Sequence, residues 1–334
     1  MKKYFTFFLL SVVFSVVLFS QTSFTNIGEG TAENPYEIWT KFHFDELRDS
    51  TYNSGYPNFS DWHYRKYFRL MQDIENVFDG LSWWRGYFYG NEKTITVTID
   101  VIDPMHQVSS LFPIVSETVS NLIVYGSVVS NALDNIGLAG ISIINETYNL
   151  SEINNCINNT TVISENTMNG YGTSGIVRDN RGTISHCINN GNVSGADLIA
   201  GIASVNNYII KNCINTGKIT ASNSGNITPY GAYGSGGIAS SSGYITNCIN
   251  IGDIIGQNNV GGISGIAIDL SGDGFPITMS NCINAGFIKG DTLVGGIVGK
   301  NFYTSYFSSG VLRNCVNIGV IEGEEDVGGI VGKE

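Results

Sequence analysis

The sequence has few charged residues, and basic residues are the scarcer kind. Charged residues make up 14% of the chain, and 17 Lys and Arg face 29 Asp and Glu, for a formal charge of -12. A chain with this acidic balance repels nucleic acid and anionic lipid surfaces, so we exclude both as partners. The charge also keeps an extended chain soluble.

Proline is scarce as well, whereas glycine is abundant. The chain contains 6 Pro and 41 Gly, together with many Asn, Ser, Thr and Ile. This composition favours short strands joined by tight turns. We therefore expect an all-β protein with no more than one helical segment.

The first twenty residues form a segment of their own. Lys2 and Lys3 precede an apolar stretch from Phe5 to Phe19, which is the layout of a secretory signal peptide. The stretch is shorter than the roughly 20 residues of a membrane-spanning helix, although an uncleaved anchor is the alternative. We predict that residues 1–20 are removed and that the protein is secreted or lies on the bacterial cell surface without a membrane span.

All six cysteines occupy one repeated motif. It reads CINNTTV, CINNGNV, CINTGKI, CINIGDI, CINAGFI and CVNIGVI, starting at Cys156, Cys187, Cys213, Cys248, Cys282 and Cys315. A second motif, SGI, AGI or GGI, follows each copy, and the shortest period is 26 residues, from Cys187 to Cys213. Such a period fits one coil of a parallel β-helix, in which each coil pairs with the next.

The recurring positions of the motif are evenly spaced and therefore share one strand face, which we assign to the interior. The cysteines would stack as small apolar side chains. The asparagines two residues later would form a ladder of paired amides: Asn158, Asn189, Asn215, Asn250, Asn284 and Asn317. The residue after each Cys is apolar too, which indicates either an exposed apolar stripe or a local bulge.

Insertions that follow the second motif lengthen some repeats and would cluster at one corner of the coil. One insertion contains Phe302, Tyr303, Tyr306 and Phe307. Loops of repeat proteins often build a binding face, so these aromatics are candidate binding residues. The alternative is that they fold back and cover the coil.

The segment before the repeats combines a helix with strands. A short helix is expected after Thr40, its candidate N-cap, and could close the end of the solenoid. The run WWRGYFYG makes Trp83 and Trp84 candidates for stacking against sugar rings, although core packing or capping is the interpretation that we favour.

The chain resembles bacterial surface proteins that carry the GLUG motif. The residues that carry the resemblance are GLAG at Gly137, GISG at Gly262, and GIVG at Gly296 and Gly329, with the lead-in GEGTAENPYEIWT. Two repeats, AGIAS at Gly201 and GGIAS at Gly237, lack the final glycine. The resemblance implies a right-handed parallel β-helix with adhesin-like binding or an undefined role, and it carries over no catalytic residue.

No arrangement of residues in the sequence indicates catalysis, a metal or a cofactor. There is no CxxC pair, the four histidines are scattered, and no carboxylate pairing stands out. His186 stands where the other five repeats have Asn, and we interpret it as a substitute in a ladder. Disulfides between stacked cysteines remain an alternative to free thiols.

These observations predict three regions: a signal peptide at 1–20, an N-terminal capping region with first coils at 24–118, and β-helix repeats at 119–334. The expected function is a non-enzymatic adhesin-like module whose partner is a host-surface protein or a glycan. The alternatives are a carbohydrate-active lyase or hydrolase and a structural stalk. A stalk would self-associate through the uncapped C-terminal coil.

Overall fold

The computed structural model describes residues 22–52, 63–81, 83–101, 109–131, 137–146, 151–165, 172–222, 234–267, 278–301 and 310–333. In these ranges the chain winds into a parallel β-solenoid with three sheets of 22, 7 and 9 strands. The predicted signal peptide at 1–20 and the candidates Phe302, Tyr303, Tyr306 and Phe307 lie outside the described residues.

The first sheet carries the cysteine motifs: the Cys156 repeat contributes two strands to it, and each of the later five repeats contributes three short strands. Its strands are Tyr36–Ile38, Tyr67–Leu70, Ile74–Val77, Tyr87–Val101, Thr118–Ser130, Glu152–Asn154, Ile157–Ser164, Thr183–Ser185, Ile188–Asn189, Val193–Gly195, Ile209–Lys211, Ile214–Asn215, Ile219–Ala221, Tyr244–Thr246, Ile249–Asn250, Ile254–Ile255, Thr278–Ser280, Ile283–Asn284, Ile288–Lys289, Val311–Arg313, Val316–Asn317 and Ile321–Glu322.

Two smaller sheets complete each coil. The second sheet contains Leu138–Ala139, Thr173–Ser174, Ile199–Ala200, Ser235–Gly236, Asn258–Gly261, Thr292–Gly295 and Glu325–Gly328. The third sheet contains Trp83–Trp84, Phe112–Val115, Ser142–Asn145, Val177–Asn180, Ala203–Asn206, Ala239–Ser242, Ser264–Ala267, Val298–Asn301 and Val331–Lys333. Seven coils contribute to all three sheets, so the predicted all-β parallel β-helix of about seven coils is confirmed.

The repeat period sets the register between coils. Asn189 pairs with Asn215, and Asn215 pairs with Asn250, so equivalent residues of successive repeats lie directly above one another. Pairing is parallel throughout the described part of the three sheets. Each repeated sequence position therefore becomes a column that runs along the solenoid.

A left-handed residue turns the chain immediately before each cysteine. Positive φ angles of 51° to 56° occur in a column of residues that ends the first short strand: Asn121, Asn155, His186, Asn212, Asn247, Asn281 and Asn314. Asparagine tolerates this conformation better than other non-glycine residues. The side chains pair along the surface, and Asn212 Nδ2 lies 3.0 Å from Nε2 of His186. His186 thus replaces Asn in an outer, exposed ladder.

The described residues contain one α-helix, Lys41–Tyr52, preceded by the 3-10 turn Phe24–Asn26. Thr40 caps the α-helix, because its Oγ1 accepts a hydrogen bond from the backbone N–H of His43 at 3.3 Å. Phe44 and Leu47 are fully buried on the face that packs against the strands Ile74–Val77 and Trp83–Trp84. The helix therefore lies against the first coil.

Aromatic side chains fill the interior of the N-terminal coils. The Trp84 ring contacts Phe68, Phe88 and Phe112 edge-on, with centroid distances of 5.0, 5.9 and 6.0 Å. Such edge-to-face pairs are favourable beyond the area that they bury. The interior changes from aromatic to Cys, Asn and Ile columns where the repeats begin.

Candidate ligand-binding groove

The cysteine column lies inside the solenoid. All six thiols are free, and all are buried except Cys315, which is partly exposed. Burial raises the pKa of the Cys156 and Cys187 thiols well above the ordinary value. Each buried sulfur points at backbone carbonyls, as Cys187 Sγ does at 3.3 Å from the Ser185 oxygen. Buried, protonated thiols of this kind are not nucleophiles.

The asparagines at plus two form a continuous inner ladder. Nδ2 of each amide donates to Oδ1 of the next across 2.7 to 2.8 Å, through Asn158, Asn189, Asn215, Asn250, Asn284 and Asn317. The second hydrogen of each Nδ2 goes to the backbone oxygen two residues ahead, at 2.9 Å for Asn215 and Gly217. The buried amides are therefore paired along the column.

The apolar residues at plus one point outward. Ile157, Ile188, Ile214, Ile249, Ile283 and Val316 pair in register on the outer face of the first sheet. Neighbouring positions of the motif differ clearly in burial, since Asn284 is fully buried whereas Ile283 is 38% exposed. Of the two alternatives left open by the sequence, the exposed apolar stripe is the one observed.

The two tryptophans occupy different environments. Trp84 is fully buried in the aromatic core and offers no face to a ligand, so core packing replaces the sugar-stacking role predicted for it. Trp83 is partly buried, and its Nε1 donates to Ser116 Oγ at 3.1 Å. Ser116 in turn donates to Glu146 at 3.0 Å. The WWRGYFYG run thus faces alternately inward and outward.

A groove lies on the outer face of the first sheet near its N-terminal end. It encloses about 420 Å³ and is lined by Ala32, Pro35, Tyr67, Phe68, Arg69, Tyr87, Phe88, Tyr89, Thr118 and Ser120. This volume is at the lower end of the roughly 300–1,000 Å³ usual for small-ligand sites. The strands that form its floor are rigidly paired in three successive coils.

Two columns of side chains form the groove, and each changes from aromatic to small. Tyr67 stacks on Tyr87 with the ring centroids 4.4 Å apart and the planes 12° apart, and the next residue in that column is Thr118. In the parallel column, Tyr89 is followed by Ser120. Because Thr118 and Ser120 are small, no further ring stacks on the side of Tyr87 or Tyr89 that is turned toward the next coil. Flat apolar faces therefore lie beside hydroxyl groups, a combination suited to sugar rings.

Arg69 is the one charged residue that lines the groove. Its guanidinium lies over the ring of Tyr89, 5.9 Å from the centroid. Its Nε is buried, and no hydrogen-bond partner for it occurs in the described part of the chain. A buried donor without a partner is costly within a fold.

A carboxylate outside the groove holds Tyr87 in place. Burial raises the pKa of Tyr87, and the neighbouring Glu117 raises it further by its charge and a hydrogen bond. Glu117 also accepts from Arg65 Nε at 3.3 Å. Tyr87 is consequently a neutral phenol at neutral pH. Its ring stacks on Tyr67, and its hydroxyl is held by Glu117.

Sequence reasoning missed this groove, although a signal for it exists. The segments Tyr67-Phe68-Arg69 and Tyr87-Phe88-Tyr89 place a buried Phe between two outward residues, and they pair in register. Aligning the two segments as successive coils would have put Tyr67 above Tyr87 and Arg69 above Tyr89. The cysteine repeats begin later, so their period did not extend to these coils.

Two features are absent from the described residues. No group of three or more His, Cys, Asp or Glu is placed to hold a metal ion. Within the same ranges, none of the helices has the length and apolar character needed to cross a membrane.

Comparison with known proteins identifies the fold alone. No family model and no curated protein matches the chain. Among solved structures, the chain is similar to a Bacteroides ovatus protein named as a candidate immunoglobulin A1 protease, with a TM-score of 0.50 and 19% identity over 91% of this chain and 86% of that one. The resemblance to GLUG-motif proteins therefore stays a prediction.

Proposed function

We propose that this protein is a non-catalytic surface module that binds a glycan in the groove between Pro35 and Ser120. The observation that supports the proposal is the arrangement of tyrosine faces, hydroxyl groups and one guanidinium, whose buried Nε has no partner among the described residues, on three coils paired in register. A preorganised surface of this kind binds without the entropic cost of ordering loops. Export through residues 1–20 would bring the groove to extracellular ligands.

A glycan array tests the proposal with the chain that begins at residue 21. Binding to at least one glycan is expected for the wild-type chain. Tyr87→Ala should reduce it at least tenfold, because the substitution removes the stacked ring from the groove. Tyr244→Ala is the matched control, since Tyr244 lies in the same outward column five coils away and is 37% exposed. Equal loss in both variants would contradict the assignment of the groove.

The name of the Bacteroides ovatus neighbour introduces proteolysis as a second candidate. The same preparation can be incubated with immunoglobulin A1 and followed by electrophoresis. We expect no fragments from the purified chain. Cleavage that persists through purification and disappears on unfolding would replace the binding proposal with an enzymatic one.

The stalk hypothesis rests on self-association through the C-terminal coil. Light scattering over a concentration series measures this association directly. A binding module of the proposed kind is expected to keep a constant size over that series. Growth of the particle with concentration would favour the stalk.

A further inference from the structure

The groove carries one cationic side chain in an acidic protein. The whole chain carries a formal charge of -12, and Arg69 is the one ionised side chain among the residues that line the cavity. Two carboxylates lie near the lining: Glu37, which pairs in register with Arg69, accepts from Trp39 Nε1 at 2.8 Å, and Glu117, which raises the pKa of Tyr87, also pairs with Arg65. The ionised group that belongs to the lining itself is a cation, which favours an anionic group on a ligand.

The guanidinium of Arg69 is positioned rather than free to swing. Its Cζ lies over the Tyr89 ring, 5.9 Å from the centroid, and its Nε is buried, which together limit the movement of the guanidinium. A fixed guanidinium presents parallel N–H donors that match the two oxygens of a carboxylate. An ammonium group would offer no such geometry.

The remaining lining residues suit a ring that carries hydroxyl groups. Tyr87 and Tyr89 supply flat faces, and Thr118 and Ser120 supply hydroxyls one coil further along the same columns. Flat rings pack against the faces of pyranoses, and hydroxyls exchange hydrogen bonds with sugar hydroxyls. A cavity of about 420 Å³ has room for a small ligand of this type.

From these observations we infer that the groove is specific for acidic sugars, and that Arg69 binds the carboxylate of a pyranose whose ring packs against Tyr87 and Tyr89. This inference rests on the proposed glycan-binding function and adds the class of sugar. The carboxylate can belong to a hexuronic acid or to a sialic acid, since both present the same group on a pyranose ring.

Isothermal titration calorimetry with two pairs of ligands tests the inference. Trigalacturonate is compared with its methyl ester, and sialyllactose with the methyl ester of its sialic acid, so that each pair differs in the acidic group. We expect at least one acidic ligand to bind tenfold or more tightly than its neutral counterpart. Raising the salt concentration should weaken the binding of the acidic ligand and leave the binding of the neutral ligand unchanged. The pair that shows the difference identifies the source of the carboxylate.

Variants at Arg69 separate charge recognition from folding. Arg69→Gln should bring the affinities for the acidic and the neutral ligand to about the same value, because the weak binding of the neutral ligand remains. Arg69→Lys should restore part of the preference for the acidic ligand. Arg313→Gln is the control, because Arg313 occupies the same outward column at the far end of the solenoid. Thermal unfolding of each variant shows whether the fold is retained.

Two results would overturn the inference in distinguishable ways. Equal affinity for acidic and neutral ligands would refute the role of Arg69 and leave the proposed glycan-binding function standing. A failure of all four ligands to bind, together with an empty glycan array, would refute both. Loss of acid preference in Arg313→Gln as strong as in Arg69→Gln would assign the effect to overall charge.

Discussion

At the scale of single residues, the two repeated motifs depend on each other. The inner amide ladder lies against the glycine that precedes Ile in the second motif: a Cβ on Gly201 would lie 2.3 Å from Oδ1 of Asn215, and a Cβ on Gly237 would lie 2.3 Å from Cγ of Asn250. Contacts this short leave no room for a side chain. The Asn of the first motif and the Gly of the second motif recur together because they are in contact inside the solenoid.

The inner ladder should contribute strongly to stability. Asn215→Ala removes one amide and leaves donors and acceptors on Asn189, Asn250 and Gly217 without partners in the interior. We expect it to lower the free energy of unfolding by about 3 kcal/mol. Asn190→Ala, which removes exposed bonds to Asn159 and Thr216, should cost less than about 1 kcal/mol. Denaturant titration compares the two, and equal losses would contradict a ladder that is buried and fully paired.

Asp197 should make stability depend on pH. It is 3% exposed, and within the described ranges neither carboxylate oxygen has a hydrogen-bond partner. Burial raises its pKa from the ordinary 3.8 to about 6. The folded state therefore holds this proton more tightly than the unfolded chain, and stability is lost as pH rises from about 4 through 6.

The variant Asp197→Asn removes this dependence. We expect it to match the wild-type protein near pH 4 and to exceed it by up to about 3 kcal/mol at pH 7, since two pKa units correspond to that amount. Thermal unfolding from pH 4 to pH 7 measures the difference. A constant gap between the two proteins across this range would show that the carboxylate is not the cause.

At the scale of elements, close packing of the coils at glycine positions limits substitution. A Cβ on Gly296 would lie 2.0 Å from the backbone oxygen of Gly329 in the next coil, whereas a Cβ on Gly329 would meet nothing within 4 Å. The two glycines occupy the same position of the second motif in successive repeats. One position thus provides both a test and its control.

Alanine at these two positions should affect the stability of the fold to different degrees. Gly296→Ala must push two coils apart and should cost about 1–3 kcal/mol or more, as overpacking does. Gly329→Ala should be nearly neutral, because space is open there. Melting temperatures of both variants measure the effect. A large loss in Gly329→Ala would show that the position has a requirement other than space.

Much of this architecture follows from sequence periodicity. The spacing of Cys156, Asn158 and Val162 predicts the inward face, and recurrence of the motif predicts the coils. The outward Ile157 could not be assigned from the pattern, because its apolar character conflicts with exposure and only the register resolves it. The left-handed corner at Asn155 was missed as well, although Asn recurs before the cysteine in five of the six repeats, because that recurrence was interpreted only as a ladder.

At the scale of the whole molecule, chemistry and repetition occupy different parts of the chain. The regular coils carry paired amides and buried free thiols, and among the described residues no cluster of His, Cys, Asp or Glu is placed to hold a metal ion. The irregular coils at the N-terminal end carry the groove, where Arg69 and the tyrosines interrupt the repeat columns. In the proposed function, the repeats act as a support, and recognition belongs to the end that departs from the repeat.

The central claim is tested by a crystal structure of the chain soaked with whichever acidic sugar, trigalacturonate or sialyllactose, binds more tightly in calorimetry. The account predicts a pyranose ring packed against Tyr87 or Tyr89, with its carboxylate within hydrogen-bond distance of Arg69 and its hydroxyls near Thr118 and Ser120. A sugar bound instead along the apolar stripe at Ile249 and Ile283, with the groove empty, would contradict it.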